Sequence, residues 1–285
     1  NDHGYLLVDG APNRCAGEPL MTISRSGRLA LSALLGVGLA FIYVPLMVVI
    51  INSFNASRTF SWPPSELTTK WWAKAIENTG VREALEWSII AGLSATLIAL
   101  LLGTALAFAV SRYEFFGRDV ISLLVVLPIS LPGVVTGIAL NNAFTKQLGM
   151  STGLMTVVIG HATFCIVVVF NNVAARYRRL GANLEEASMD LGAGRFTTYR
   201  LITFPLLRSA LLAGGLLSFA LSFDEIIVTT FTAGAGQSTL PIWIFQNLFR
   251  PNQAPIVNVV AAALIIVSII PIYLSQRLTQ EKSSN

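Results

Sequence analysis

Charged residues are scarce in this sequence. Of its 285 residues only 12% are Asp, Glu, Lys or Arg, whereas soluble domains carry about 25%. Because 54% of the residues are hydrophobic, too little polar surface remains to cover a globule in water. The composition therefore excludes an ordinary soluble domain and predicts an integral membrane protein.

Cysteine and lysine are also few. The two cysteines, Cys15 and Cys165, are too few for a disulfide framework or a metal cluster. None of the four lysines follows a glycine, which excludes the phosphate-binding loop of an ATPase. We also find no convergent set of catalytic residues. We expect a chain that is not an enzyme and has no cofactor of its own, so that any ATP would be bound by a partner subunit.

Six apolar runs are each long enough for the roughly 20 helical residues that cross the bilayer core. They are residues 29–53, 87–111, 119–143, 154–175, 206–232 and 256–276. The third run contains Pro128 and Pro132, which free backbone carbonyls that must face protein or water. The predicted fold class is an all-α integral membrane protein with about six transmembrane helices.

Most of the 19 lysines and arginines lie in the two tails and in alternate connections between the runs. Positive charge marks the cytoplasmic side, so both termini and the loop 176–205 are expected in the cytoplasm. The predicted organisation is an N-terminal tail (1–28), a transmembrane domain (29–276) and a C-terminal tail (277–285). Residues 1–20 are expected to be a tag or a mis-called extension, because Met21 resembles a translation start.

The first loop on the opposite side, residues 54–86, carries Trp62, Trp71 and Trp72, and Trp87 follows it directly. Tryptophan favours the level of the lipid headgroups, so we expect a short helix lying along the outer interface. Binding of a ligand ring by these side chains is the alternative.

The loop 176–205 predicts a short helix, a glycine turn and a second short helix. The first helix has one apolar stripe, made by Leu184, Ala187 and Leu191. Gly192 and Gly194 are expected to reverse the chain, and Pro205 to end the element before it enters the membrane. Glu185, Glu186 and Asp190 offer charge to a soluble partner. An amphipathic loop without a partner is less consistent, because such helices are usually basic.

The same loop resembles a family motif. Permease subunits of binding-protein-dependent ABC importers of the six-helix, MetI-like type carry E-A-A, three residues, a glycine and an I-x-L-P ending. The corresponding residues here are Glu186-Ala187-Ser188, Gly192 and Ile202-Thr203-Phe204-Pro205. Ser188 replaces an alanine and Phe204 a leucine, and both changes keep small or apolar character.

The resemblance implies a coupling helix that fits a groove on the ATP-binding subunit. The residues expected in that contact are Glu185, Glu186, Ala187, Ser188, Leu191 and Gly192. It also implies that the chain lies in the bacterial inner membrane and has three partners: a dimer of ATPases, a second permease subunit and an extracytoplasmic binding protein. Six helices would then form half of a translocation path.

Two acids interrupt the fifth apolar run. An acid inside the membrane costs about 2.5–3.5 kcal/mol unless it faces a cavity or a partner. On a continuous helix one polar stripe contains Ser218, Ser222, Glu225, Thr229 and Thr232. We therefore expect Glu225 to line the translocation path, with Asp224 neutral or paired at a helix contact. On this hypothesis Glu225→Gln lowers uptake of a cation more than Asp224→Asn does.

The stretch 222–227, followed by Gly234, Gly236 and Leu240-Pro241, resembles the permeases of spermidine and putrescine importers. Related ferric-iron, thiamine and opine permeases have similar stretches, so these substrates remain open. An ion-coupled carrier that uses Asp224 and Glu225 as its ion site is a further alternative. It would leave the coupling motif unexplained.

His161 and Cys165 lie four residues apart, the spacing of a metal pair or a Cys–His nucleophile. The run that contains them offers no third ligand or orienting acid. We expect His161 to form hydrogen bonds between helices. Four asparagines near helix ends are expected to cap them: Asn141, Asn142, Asn171 and Asn172.

Overall fold

The computed structural model describes residues 24–58, 61–181 and 183–283, with side chains through Ser268. Within these residues the regular secondary structure is helical except for one isolated bridge between Asn55 and Leu67. The helices are α1 Arg25–Asn52, α2 Lys70–Glu77, α3 Thr79–Arg112, α4 Arg118–Ser130, α5 Gly133–Asn142, α6 Leu154–Leu180, α7 Asn183–Asp190, α8 Arg195–Thr198, α9 Phe204–Phe223, α10 Ile227–Thr232, α11 Leu240–Asn247 and α12 Ala254–Ser283.

The chain divides into two units at Val48. The first contains most of α1, a helix of 28 residues that carries Pro45 inside it. Its apolar side chains, such as Phe41 at 83% exposure, are open to the surroundings. The second unit, from Val49 onward, contains the packed helices described below.

Four helical segments in the described residues are long and apolar enough to cross a membrane. They are Arg25–Asn52, Thr79–Arg112, Leu154–Leu180 and Arg195–Phe223. A fifth crossing is possible if α4 and α5, which meet at an angle of 105°, form one broken span. The sixth predicted run begins in α12, whose apolar part is described only through Ser268. The rest of that run lies outside the residues with described side chains.

Helix α3 has one face buried against the protein and an opposite face of exposed apolar side chains. Small residues recur every four positions and are buried: Ala91, Ala95, Ala99, Gly103 and Ala107. Leu93, Leu97 and Leu101 are 58–65% exposed on the other side. Apolar side chains gain little from leaving lipid, so close packing of small residues provides the attraction between membrane helices. This pattern places α3 tightly against α6, and α9 packs on both.

Gly103 lies where α3 and α6 approach most closely. A Cβ atom there would lie 2.9 Å from both the Ile166 carbonyl oxygen and Val169 Cβ. We expect Gly103→Ala to separate the helices and destabilise the protein by about 1–3 kcal/mol, the usual cost of overpacking. The thermal unfolding midpoint of the detergent-purified protein measures this. Gly215→Ala is the matched control, because its Cβ would meet only Leu100 side-chain atoms at 3.4 Å or more. Equal midpoints for the two variants would contradict the prediction.

Two clusters form the interior of the second unit. One joins α3, α6 and α9 around Phe170, Tyr177 and Leu207. The other joins α2, α3, α11 and α12 around Trp71 and Trp243. These clusters fix the helices from which the candidate functional residues project.

The bend between α4 and α5 follows from Pro132 and the extended backbone of Leu131. Pro132 therefore breaks the third predicted span into a bent pair of helices, whereas Pro128 lies inside α4. Asn141 does not cap a helix end: its side-chain amide donates to the Phe231 carbonyl oxygen at 2.6 Å and ties α5 to α10. Phe231 packs over Gly137, where a Cβ would lie 2.5 Å from its ring.

The connection before α3 contains the expected short helix, α2. However, Trp71 is only 3% exposed and its indole nitrogen donates to the Asn55 carbonyl oxygen at 3.1 Å. Lys70 and Lys74 lie over its ring at 4.9 and 5.2 Å. Trp71 therefore anchors the loop to the protein interior instead of lying free on a surface, whereas Trp62 is 63% exposed.

Candidate functional site

The α7–α8 loop (residues 183–198) has the predicted helix–turn–helix form. Gly192 ends α7 with a φ of +85°, a conformation that favours glycine. Its amide nitrogen donates to the Met189 carbonyl oxygen at 2.9 Å, and that of Ala193 donates to Ser188 at 3.1 Å. The predicted role of Gly194 in the reversal is wrong, because its φ of −69° and ψ of 158° are open to any residue.

Pro205 does not end the element. From Arg195 to Phe223 the chain is one helix of 29 residues, with a π turn over Tyr199–Thr203 just before Pro205. Proline lacks an amide hydrogen and crowds the preceding turn of an α-helix, and a π turn is one way to accommodate such a residue. The loop is therefore joined rigidly to the membrane helix α9.

Glu185 is bound within the chain. Its Oε2 lies 2.7 Å from Arg112 Nε at the end of α3, and its Oε1 accepts a hydrogen bond from the Thr203 hydroxyl at 2.7 Å. Arg112 also donates to the Gly181 carbonyl oxygen at 2.7 Å and lies 4.8 Å from the centre of the Tyr177 ring. We call this arrangement of Arg112, Glu185 and Thr203 the clasp. The expectation that Glu185 offers its charge to a partner is therefore corrected.

The outer face of α7 is open. Of the other predicted coupling residues, Glu186, Ala187 and Gly192 are exposed and Leu191 is 91% exposed. Ser188 is half-buried, and its hydroxyl lies 3.0 Å from that of Thr198. Ser188 thus holds α7 to α8. The remaining residues form a small apolar surface with an acid at its edge.

The second candidate region is the acidic break, residues Asp224–Ile226, between α9 and α10. The sequence predicted one continuous helix over 206–232, and this is wrong: α9 ends at Phe223 and α10 begins at Ile227. No proline or glycine causes the break. The Glu225 carboxylate accepts a hydrogen bond from the Val228 amide at 2.9 Å and so satisfies a donor at the start of α10.

The two acids differ in environment, in the opposite sense to the prediction. Glu225 is half-buried, and its carboxylate accepts the hydrogen bond from the Val228 amide. Asp224 is exposed, and its carboxylate forms no hydrogen bond or ion pair with any residue in the described ranges. Asp224 is therefore the acid that remains free to interact with something outside this chain.

The predicted polar stripe does not face an open path. Ser218, Ser222, Thr229 and Thr232 are at most 2% exposed. Ser218, Ser222 and Thr229 are bound to α6 instead. The Ser218 hydroxyl, for example, donates to the Cys165 carbonyl oxygen at 3.2 Å. A helical wheel on a continuous helix gives the spacing of such residues but not the neighbour that they face.

His161 confirms the prediction of a hydrogen-bonding group between helices. It is completely buried, with Nδ1 2.7 Å from the Ser222 hydroxyl and Nε2 2.8 Å from the Thr229 hydroxyl. Ser222 precedes the acidic break and Thr229 follows it. One imidazole therefore bridges the two helices and fixes the geometry in which Asp224 is presented.

Replacing His161 should destabilise this bridge. His161→Ala removes one hydrogen bond from each of two buried hydroxyl groups and creates a cavity, and we expect the stability to fall by about 2–4 kcal/mol. In His161→Asn the asparagine side chain can still form a hydrogen bond with the Ser222 hydroxyl, as His161 Nδ1 does. This variant should therefore lose less stability. Thermal unfolding of the purified protein gives the order. A midpoint for His161→Ala above that of His161→Asn would show that the bridge contributes nothing.

Arg112 was missed as a functional residue. Because Arg112 lies at the end of an apolar run, the sequence suggested only that it is one of the positive charges that mark the cytoplasmic side. The signal that could have identified it is the matching acid at the start of the α7–α8 loop, but the sequence alone does not reveal that the ends of α3 and α7 meet.

Comparison with known proteins gives a consistent result. Residues 95–284 match the family model described as binding-protein-dependent transport system inner membrane component. The spermidine/putrescine transport system permease protein PotC of Escherichia coli (strain K12) is 32% identical over 90% of this chain and 96% of PotC. The putrescine transport system permease protein PotI of the same strain is 30% identical over 86% of this chain and 90% of PotI.

A solved structure has the same fold. One chain of a bacterial ABC transporter that imports the acidic polysaccharide alginate superposes with a TM-score of 0.68 at 18% identity. The match covers 90% of this chain and 98% of the other.

Proposed function

The chain belongs to the family of inner membrane components of binding-protein-dependent transport systems, and we propose that it forms half of a translocation path for a polyamine such as putrescine or spermidine. Like its relatives it is the permease subunit of an ABC importer and not an enzyme. The family works with an ATPase and a substrate-binding protein. The identities of this chain's own partners belong to the proposal.

The acidic break is the observation that supports a cationic substrate. Asp224 lies exposed at an interruption of a membrane helix, where an unpaired carboxylate is costly unless it meets water or a cation. A positive charge about 4 Å away would gain roughly 4 kcal/mol at an effective dielectric constant of 20. The polyamine names of the relatives PotC and PotI agree with a cationic solute.

The α7–α8 loop is the proposed contact with the ATPase. Its exposed surface, which includes Leu191 and Phe196 at 91% and 76% exposure, is apolar enough to need a partner in water. The distribution of basic residues supports a cytoplasmic loop and cytoplasmic termini. The rigid connection through the π turn to α9 would carry a movement of the ATPases to the acidic break.

The test is transport by the assembled complex. The two permeases, the ATPase and the binding protein are reconstituted in proteoliposomes with ATP available to the ATPase, and entry of labelled putrescine or spermidine is measured. We expect ATP-dependent uptake that persists when ionophores collapse the ion gradients. A control without ATP should show none.

Three outcomes would contradict the proposal. Uptake of ferric iron, thiamine or an opine without polyamine uptake would overturn the substrate class. Loss of uptake on collapse of the gradient alone would favour an ion-coupled carrier. Transport by this chain without any ATPase would overturn the coupling role.

A further inference from the structure

A pocket lies at the ends of three membrane helices, away from the acidic break. It has a volume of about 390 Å³ between the end of α3, the start of α4 and the end of α6. Its lining includes Ser111, Arg112, Arg118, Ser122, Asn171 and Arg178. We call it the arginine pocket.

The lining carries three arginines and no acid. Arg112 is occupied by Glu185 in the clasp. Arg118 and Arg178 form no ion pair with any residue whose side chain the structure describes. The pocket therefore has two uncompensated positive charges, on guanidinium groups whose geometry suits phosphate oxygens.

We propose that the arginine pocket binds a phosphate group, that of an anionic phospholipid. The pocket opens at helix ends, the level at which headgroups lie. Beside it α4 exposes a row of apolar side chains, including Leu123 at 70% and Leu127 at 43%, along which acyl chains can lie. On the orientation proposed above, the pocket faces the inner leaflet. The inference does not depend on which solute is transported.

Lipid binding to the whole complex tests the proposal. The assembled transporter is purified in mild detergent and titrated with phosphatidylglycerol, and bound lipid is counted by native mass spectrometry. We expect the double variant Arg118→Gln, Arg178→Gln to lower phosphatidylglycerol affinity at least tenfold, and Arg112 is left intact to preserve the clasp. Arg179→Gln is the matched control, because this exposed neighbour does not line the pocket. Unchanged binding by the double variant would overturn the proposal.

A further arm of the experiment identifies the source of the phosphate. Phosphatidylcholine and inorganic phosphate at millimolar concentration should not displace the bound lipid, and displacement by inorganic phosphate would overturn the lipid assignment.

Discussion

Replacing Asp224 by asparagine is expected to lower polyamine uptake at least tenfold while leaving the protein folded. Asp224 is exposed at the acidic break and free of partners in the described part of the chain, so its charge stabilises nothing within the subunit. A tenfold loss corresponds to about 1.4 kcal/mol, well within the attraction between a carboxylate and an ammonium group. The measurement is the initial rate of ATP-dependent putrescine uptake in proteoliposomes.

Glu225 provides the control for this prediction. A glutamine at this position can still accept the hydrogen bond from Val228. Glu225→Gln should therefore reduce polyamine uptake less than Asp224→Asn does. Glu225→Ala removes the acceptor and should lower the stability by about 0.5–2 kcal/mol, as loss of a helix cap does. The order that the sequence alone suggested is the reverse. If Asp224→Asn takes up putrescine at the wild-type rate and Glu225→Gln takes it up more slowly, Glu225 and not Asp224 is the acid that lines the translocation path.

The membrane character and most of the spans were predictable from the sequence. Apolar length alone located α1, α3 and α6, because a helix that crosses lipid must be long and uncharged. The turn at Gly192 was predictable for a different reason: a backbone with φ near +85° favours glycine. These features depend on local chemistry, which a sequence displays directly.

The acidic break was not predictable in the same way. Residues 224–226 contain no proline or glycine, and the apolar run continues on both sides. The break depends on Glu225 binding the Val228 amide and on His161 bridging Ser222 and Thr229. His161 is 61 and 68 residues distant from these partners. Only the packing of α6 against α9 and α10 brings them together.

The polar stripe of the fifth run was misinterpreted for a related reason. Its period of three to four residues correctly identified one face of a helix. It could not distinguish a water-filled path from a neighbouring helix, because both require polar side chains to be satisfied. The burial of Ser218 and Thr229 at 0% exposure decides between them.

The clasp should couple the α7–α8 loop to the membrane helices, and breaking it should uncouple transport from ATP hydrolysis. Glu185→Gln removes the charge that faces Arg112 and weakens the contact with Thr203. Each charged contact is worth about 1.5–3 kcal/mol, somewhat less here because both side chains are about 15% exposed (14% and 16%). We expect uptake per ATP hydrolysed to fall at least fivefold. The ATPase should stay bound, because Glu185 points inward.

Two comparisons make the clasp prediction specific. Leu191→Glu places a charge on the exposed surface of α7 and should instead reduce the amount of ATPase that co-purifies. The charge exchange Arg112→Glu with Glu185→Arg should restore part of the coupling lost in either single variant, although the hydrogen bond from Thr203 is not recovered. No restoration would mean that the ion pair is incidental. Movement of the ATPase would then have to reach α9 through the continuous helix from Arg195 to Phe223 alone, and variants of the π turn before Pro205 would become the next test.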